Sequence, residues 1–203
     1  MIQEVPNVGG LYLLPNFLTE DEERTLLTSI DTEGTWTLNR QKDRRVQMYG
    51  IHHDDRFRVQ HDAEVTLLPL YYREIVIPKI LGATEVFFPE AHKKYMRKLN
   101  KDHTTELFVN EYCPTSSLPY HTDHPMTYEE IIVGVSIGCS CVLRFRVGNA
   151  HAHCVELPPR SAYFMTGTSR IDAQHGMDVG DCLGPRRVSL TFRVVRESMI
   201  VRK

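Results

Sequence analysis

From Glu106 to Arg196 the chain is cut by proline and glycine into short apolar and β-branched runs: Glu106–Tyr112, Ile131–Ile137, Cys141–Val147, Cys154–Leu157, Ser161–Thr166 and Arg187–Val195. Short strands at this spacing predict a sandwich or jelly roll rather than βαβ units. The last run constrains the fold most. Arg187, Ser189, Thr191 and Arg193 fall on one face, and Val188, Leu190, Phe192 and Val194 on the other, because side chains alternate along a strand. Buried arginines are rare unless paired. If the arginine face looks inward, the cavity must hold an anion. A dicarboxylate fits, with one end held by a guanidinium fork and the other chelating a metal beside the second arginine. The competing reading is a half-exposed edge strand with two solvated arginines. Asn110 and Tyr112 share a face with Phe108 and Glu106 and could hydrogen-bond the same ligand.

The N-terminal half reads differently. Leu11–Pro15 is a short strand stopped by proline. Thr19 and Glu22 form a capping box before Leu26, Leu27 and Ile30 at helical spacing, so a helix is expected over about residues 20–31. The apolar stretch 64–81 predicts a buried helix on the sheet, kinked or ended by Pro78. Pro89 suits the first turn of a helix reaching about Leu99. The cationic face of that helix (Lys93, Lys94, Arg97, Lys98) reads as solvated or as phosphate-binding. The fold class expected is α+β, with helices first and a β core after them. A chain of 203 residues with 41% hydrophobic content supports one domain without disulfide staples. Its helical and loop region covers about 1–105 and its jelly-roll core about 106–196.

His121 and Asp123 lie two residues apart, so on an extended backbone both point the same way and can meet one ion. His175 is too distant for any local element and must be brought in by the sheet. Two histidines and a carboxylate bind one face of Fe(II) and leave positions open for a cosubstrate and oxygen. With ten histidines in the chain such triads also arise by chance, and His124, His151 and His153 compete as ligands. Structural zinc would draw on Cys113, Cys139 and Cys141, whose spacing matches no common zinc pattern.

Residues 36–58 interleave Trp36, Arg40, Arg44, Arg45, Tyr49, His52, His53, Arg56 and Arg58 without a clean period. They read as a solvated loop between strands, or as a lid in which arginines meet phosphates and an aromatic stacks on a base. The formal net charge of −2 is no polycation, so a nucleic-acid partner would be held by a local patch. Five cysteines without a C-x-x-C pair point to a reducing compartment. The N-terminus has no secretory or transit pattern, and no apolar run approaches a membrane span. A monomeric cytoplasmic or nuclear protein is expected.

Asn110-Glu-Tyr112, His121-Thr-Asp123, His175 and Arg187-x-Ser-x-Thr-Phe-Arg193, in that order, resemble the AlkB family of Fe(II)- and 2-oxoglutarate-dependent dioxygenases. Leu14–Glu23 is similar to that family's entry strand and first helix, Arg44–Gly50 to its nucleotide lid, and Met165–Arg170 to the stretch before its second iron histidine. The resemblance implies a double-stranded β-helix (jelly roll) core with the N-terminal helices packed on one sheet. It implies iron on His121, Asp123 and His175, and 2-oxoglutarate on Asn110, Tyr112, Arg187 and Arg193. Arg170, Arg44, Arg45 and Tyr49 would then lie near the substrate. The implied reaction uses O2 to decarboxylate 2-oxoglutarate and hydroxylate a C–H bond. On an N-methyl base the product loses formaldehyde. Nucleic acid, either RNA such as tRNA or single-stranded DNA, is the implied partner. DNA-repair members often carry His-x-Asp-x-Asp, whereas this chain has Pro125 at the last position. Proline has no donor or charge to read a base. This departure, with the lid, brings the chain nearer to the tRNA wobble-uridine hydroxylase branch, of which it would be the oxygenase module alone. The alternatives are DNA alkylation repair, a protein- or small-molecule-directed oxygenase on the same fold, and a binding module with a vestigial metal site.

Overall fold

The computed structural model describes residues 1–51, 59, 60, 65–148 and 150–201, with the backbone alone at 59, 60 and 201. His52, His53, Arg56 and Arg58 lie outside the described residues. Two antiparallel sheets face each other. The larger runs, in spatial order, β1 (Gln3–Glu4), β2 (Leu11–Leu14), β11 (Ser161–Met165), β8 (Ile132–Gly138), β13 (Arg187–Val194), β6 (Thr105–Tyr112), β4 (Arg45–Gly50) and β3 (Thr37–Leu38). The smaller runs β10 (His153–Leu157), β9 (Cys141–Val147), β12 (Ala173–Met177) and β7 (Leu118–His121). A short parallel pair joins β5 (Val59–Gln60) to β14 (Ile200–Val201). This is the jelly roll expected from the strand texture.

The alternation of β13 divides the molecule. Val188, Leu190, Phe192 and Val194 are fully buried in the layer between the large sheet and the helices. Arg187, Ser189, Thr191 and Arg193 face the space between the sheets. Three helices cover the outer face: α1 (Glu20–Thr32), α2 (Ile77–Phe87) and α3 (Glu90–Met96). Helix α1 starts as its sequence demands. The Glu22 amide donates to Thr19 Oγ1 (3.2 Å) and the Thr19 amide to Glu22 Oε2 (2.7 Å), and Leu26 and Ile30 are wholly buried.

The helix expected over 64–81 is displaced. Leu67 is exposed and Thr66 bridges Gly50. A π-helical turn over Tyr72–Val76 leads directly into α2, which runs on to Phe87. Pro78 neither ends nor breaks it. The wide turn before it, in which the Ile77 amide reaches Tyr72 O, relieves the clash a proline ring makes in a regular helix. The cations of α3 and the turn after it are matched locally: Arg97 with Glu85 and Glu90, Lys93 with Glu85, and Lys98 with Glu197. A second correction concerns residues 36–58, because Arg45–Gly50 is a paired strand of the large sheet rather than loop. Helix α4 (Gly167–Ile171) precedes β12. Among the described residues, no helix is long and apolar enough to cross a membrane.

Candidate active site

The two sheets meet around one polar cluster. β12 pairs with β7 so that His175 stands directly opposite His121, with ring centroids 4.4 Å apart. Asp123 follows β7 by two residues and turns its carboxylate toward them. Ligand-capable atoms of His121, Asp123 and His175 all lie within 4.8 Å of one another, and His175 Nε2 is 3.7 Å from Asp123 Oδ2. His121 Nδ1 contacts Pro119 O at 2.9 Å. A carbonyl only accepts, so Nδ1 is the donor and Nε2 keeps its lone pair. Asp123 Oδ2 and His175 Nδ1 are buried without a hydrogen-bond partner. An orphaned carboxylate oxygen between two imidazoles fits a small cation, and the donor set fits Fe(II).

The electrostatics agree. Burial alone would raise the Asp123 carboxyl, but Arg193 and both histidines overcome it and hold the group at about 2. Burial pushes His175 down to about 4 against the opposing pull of Asp123. Both groups therefore sit at neutral pH in the state a metal needs.

Behind the triad the arginine face of β13 closes the cavity. Arg187 is 1% exposed. Its Nε donates to Ser136 Oγ (2.8 Å), one Nη lies 3.6 Å from Met177 Sδ, and the guanidinium sits over the Tyr112 ring. Among the described residues no carboxylate meets it. Arg193 is different, with one Nη 2.7 Å from Asp123 Oδ1 and the other 2.6 Å from Glu106 Oε1. Its Nε is buried and unpartnered. β6 runs alongside in register, Tyr112 against Arg187, Asn110 against Ser189 and Glu106 against Arg193. The expected inward face of Asn110 and Tyr112 is thus where the register puts it. A wider cavity of about 320 Å³ opens beside His121, between Arg44, Gln41, Phe108 and Pro119.

The residues expected near a substrate separate. Arg44 lies at the cavity mouth, with Nε on Asn110 Oδ1 (3.1 Å) and Nη1 on Ser117 O (3.0 Å). Arg45 faces the helix layer, held bidentately by Glu111 and stacked over Trp36. Tyr49 is 7% exposed in the core, its hydroxyl on Gln47 Oε1, so it presents no ring to a base. The strand period explains both: Arg45, Gln47 and Tyr49 share the face opposite the cavity. Arg170 is also not where a substrate could reach it. At 1% exposure its guanidinium donates to the carbonyls of Asp123, His124, Tyr128 and Glu129, and so fixes the loop that carries Asp123. Pro125 begins the exposed turn of that loop, closed by the Thr127 amide on His124 O. Sequence reasoning missed Ser136, Tyr128 and the buried role of Glu106. The acid on the inward face of β6 was the one available signal.

A family model described as the 2OG-Fe(II) oxygenase superfamily matches residues 10–193. The chain is 29% identical over 215 residues to the tRNA (carboxymethyluridine(34)-5-O)-methyltransferase alkbh8 of Xenopus tropicalis, covering 93% of this chain and 32% of that protein. It is 25% identical to a DNA N6-methyl adenine demethylase of Caenorhabditis elegans, over 92% of this chain and 60% of the relative. The chain thus spans about a third of the first relative's length and less than two thirds of the second's. Among solved structures, OsALKBH1 superposes with a TM-score of 0.66 at 19% identity, covering 94% of this chain and 100% of that one.

Proposed function

Because the chain belongs to the 2OG-Fe(II) oxygenase superfamily, and is an oxidoreductase of AlkB type that uses Fe(II), 2-oxoglutarate and O2, we propose that it oxidises modified bases in nucleic acid, with RNA and tRNA favoured over DNA. The observation that carries this reading is the cavity of about 320 Å³ beside His121, walled by Phe108, Leu118 and Pro119 and bordered by Arg44. The Phe108 ring offers a flat apolar surface to a base turned out of its stack, Gln41 offers it hydrogen bonds, and a cation at the rim suits the phosphate beside it. Pro125 supports RNA over methyl-base repair, because it has no group to read an exocyclic amine.

In this reading His121 Nε2, Asp123 Oδ2 and His175 hold the metal. Iron there, with 2-oxoglutarate and O2, supplies the oxidation of a C–H bond coupled to release of succinate and CO2. Arg187 takes the far carboxylate of 2-oxoglutarate. It is a buried guanidinium without a carboxylate of its own, and Tyr112 and Ser136 fix its plane. Arg193 orients Asp123, and its buried, unpartnered Nε is the donor it has left for the inner end of the cosubstrate. Asn110 aligns Arg44 at the boundary between the cosubstrate and the base. The cytoplasm or nucleus is the compartment this substrate calls for.

The test is nucleoside mass spectrometry after aerobic reaction with Fe(II), 2-oxoglutarate and ascorbate, on methylated single-stranded DNA, methylated RNA and whole tRNA, with an iron-free control. A hydroxylated uridine in tRNA with methylated DNA untouched supports the reading. Loss of methyl from adenine or cytosine in DNA replaces it with repair. No change in any nucleic acid while 2-oxoglutarate is still consumed moves the substrate to another class.

A further inference from the structure

Glu106 has no part in the chemistry described so far, yet it lies at the centre of the polar cluster. It is 1% exposed on the cavity face of β6, opposite Arg193. Arg193 donates one Nη to Glu106 Oε1 (2.6 Å) and the other to Asp123 Oδ1 (2.7 Å). The Tyr128 hydroxyl donates to the same carboxylate at 3.0 Å. The Tyr128 ring lies under the Arg193 guanidinium, 5.1 Å from ring centroid to Cζ. Arg193 is therefore held by three groups, and its buried Nε is left without a hydrogen-bond partner.

Asp123 and Glu106 share Arg193, and Arg170 also acts on the Asp123 carboxylate. Glu106 therefore adds one negative charge a guanidinium's width from the metal ligands, in a place where water screens it little. That charge attracts a cation and opposes a dicarboxylate. Its removal leaves the described cluster one charge more positive, which disfavours a cation and favours a dicarboxylate.

We propose that Glu106 is a positioning residue: it clamps Arg193 against Asp123 and, by its charge, favours the metal and disfavours the dicarboxylate in the metal-free cavity. The proposal rests on the site reading above and extends it to the balance between the two ligands. Its signature is a pair of opposite changes in Glu106→Gln. A charge one guanidinium's width beyond Asp123 is worth on the order of tenfold in binding. Affinity for Mn(II), the redox-inert stand-in for Fe(II), should therefore fall about tenfold. Affinity for 2-oxoglutarate in the presence of EDTA should rise by a comparable factor. A merely structural role would weaken both ligands together, because a loosened cavity binds everything less well.

The experiment is calorimetric titration of the full chain with Mn(II) alone and with 2-oxoglutarate plus EDTA, on wild type, Glu106→Gln and Glu106→Asp. Glu106→Asp keeps the charge and a carboxylate that a small shift of Arg193 still meets, so Mn(II) affinity should stay within about threefold of wild type. Opposite shifts in the glutamine variant, with Mn(II) affinity retained in the aspartate variant, support the proposal. Parallel losses in Glu106→Gln, or unchanged Mn(II) affinity in it, overturn it. If the glutamine variant does not fold, the aspartate variant decides, because a folded Glu106→Asp that has lost Mn(II) affinity overturns it as well. A wild type that binds no Mn(II) removes the metal assignment of the triad itself, which is a separate failure.

Discussion

Replacing Arg170 with methionine separates two roles for a buried arginine. If Arg170 touches substrate, the variant should fold as well as wild type and lose only nucleic-acid affinity. The structure gives a different expectation. Nη1 donates to Asp123 O at 2.8 Å and Nε to Glu129 O at 3.2 Å, while Nη2 makes longer contacts to Tyr128 O (3.3 Å) and His124 O (3.4 Å). A hydrogen bond to a charged group contributes about 1.5–3 kcal/mol, and the carbonyls left behind stay buried. The two shorter bonds together contribute about 3–6 kcal/mol on this scale. Part of that is returned, because burial already opposes the charge and pulls the Arg170 pKa down, and methionine removes the desolvation. A net loss of about 3 kcal/mol is expected. For a domain of this size it lowers the melting temperature by about 6–12 °C. Because the freed carbonyl belongs to Asp123, Mn(II) affinity should fall as well, though by less than the lost clamp alone would cause, since removing the guanidinium also takes a positive charge away from the Asp123 carboxylate. Thermal unfolding by circular dichroism in EDTA, followed by Mn(II) titration below the transition, measures both. Arg170→Lys should rescue little, since an ammonium cannot span carbonyls arranged around a planar fork. A methionine variant within about 0.5 kcal/mol of wild type, with full Mn(II) affinity, would refute the clamp.

Arg187→Met should abolish measurable 2-oxoglutarate binding to the Mn(II)-loaded protein while leaving Mn(II) affinity within about threefold, read by calorimetry; retained cosubstrate affinity would move the far carboxylate elsewhere. Arg45→Gln should leave oligonucleotide affinity and its salt dependence unchanged and reduce stability by about 1 kcal/mol or less, because Arg45 is half-exposed and paired with Glu111; a shallower salt slope would return Arg45 to phosphate contact. The metal-free protein should lose stability as pH falls. Native His175 protonates only near 4, whereas an unfolded histidine does so below its ordinary value, so the unfolded state binds more protons across that window. The loss reaches about 3 kcal/mol by pH 4. Urea unfolding in EDTA at several pH values tests this, with His175→Gln expected to give a flatter profile.

The strands were legible because each carries its own signal. Cys141–Val147 and Arg187–Val194 alternate apolar and polar residues, and the structure pairs them over those bounds. Helix α1 was legible from its cap. What failed was local pattern without long-range context. Arg45–Gly50 carries an arginine and a glutamine, yet it is a strand because β6 is there to pair with it. Leu67 and Leu70 were counted toward a buried helix on composition alone and are exposed. Pro78 was read as a kink or an end because the π-helical turn that admits it depends on how Tyr72 and Val76 pack against the sheet.

The site was legible to the extent that strand period fixes direction. His121 and Asp123 at i and i+2, and Arg187 and Arg193 six residues apart, must each share a face, and the register of β13 on β6 then carries Asn110 and Tyr112 to the same cavity. Period gives direction but not depth. Arg170 and Arg44 were both expected at the substrate, and the difference between them is burial. Arg170 is fully engaged by the backbone carbonyls of Asp123, His124, Tyr128 and Glu129, whereas Arg44 stays at the mouth. Glu106 shows the same limit from the other side. An acid on an arginine-facing strand reads as an ordinary salt-bridge partner, and only its burial against Tyr128 and Arg193, which also holds the Asp123 carboxylate, makes its charge matter. In water such a pair would contribute little. Between two sheets, where water screens less, the Glu106 charge would act on every ligand entering the cavity.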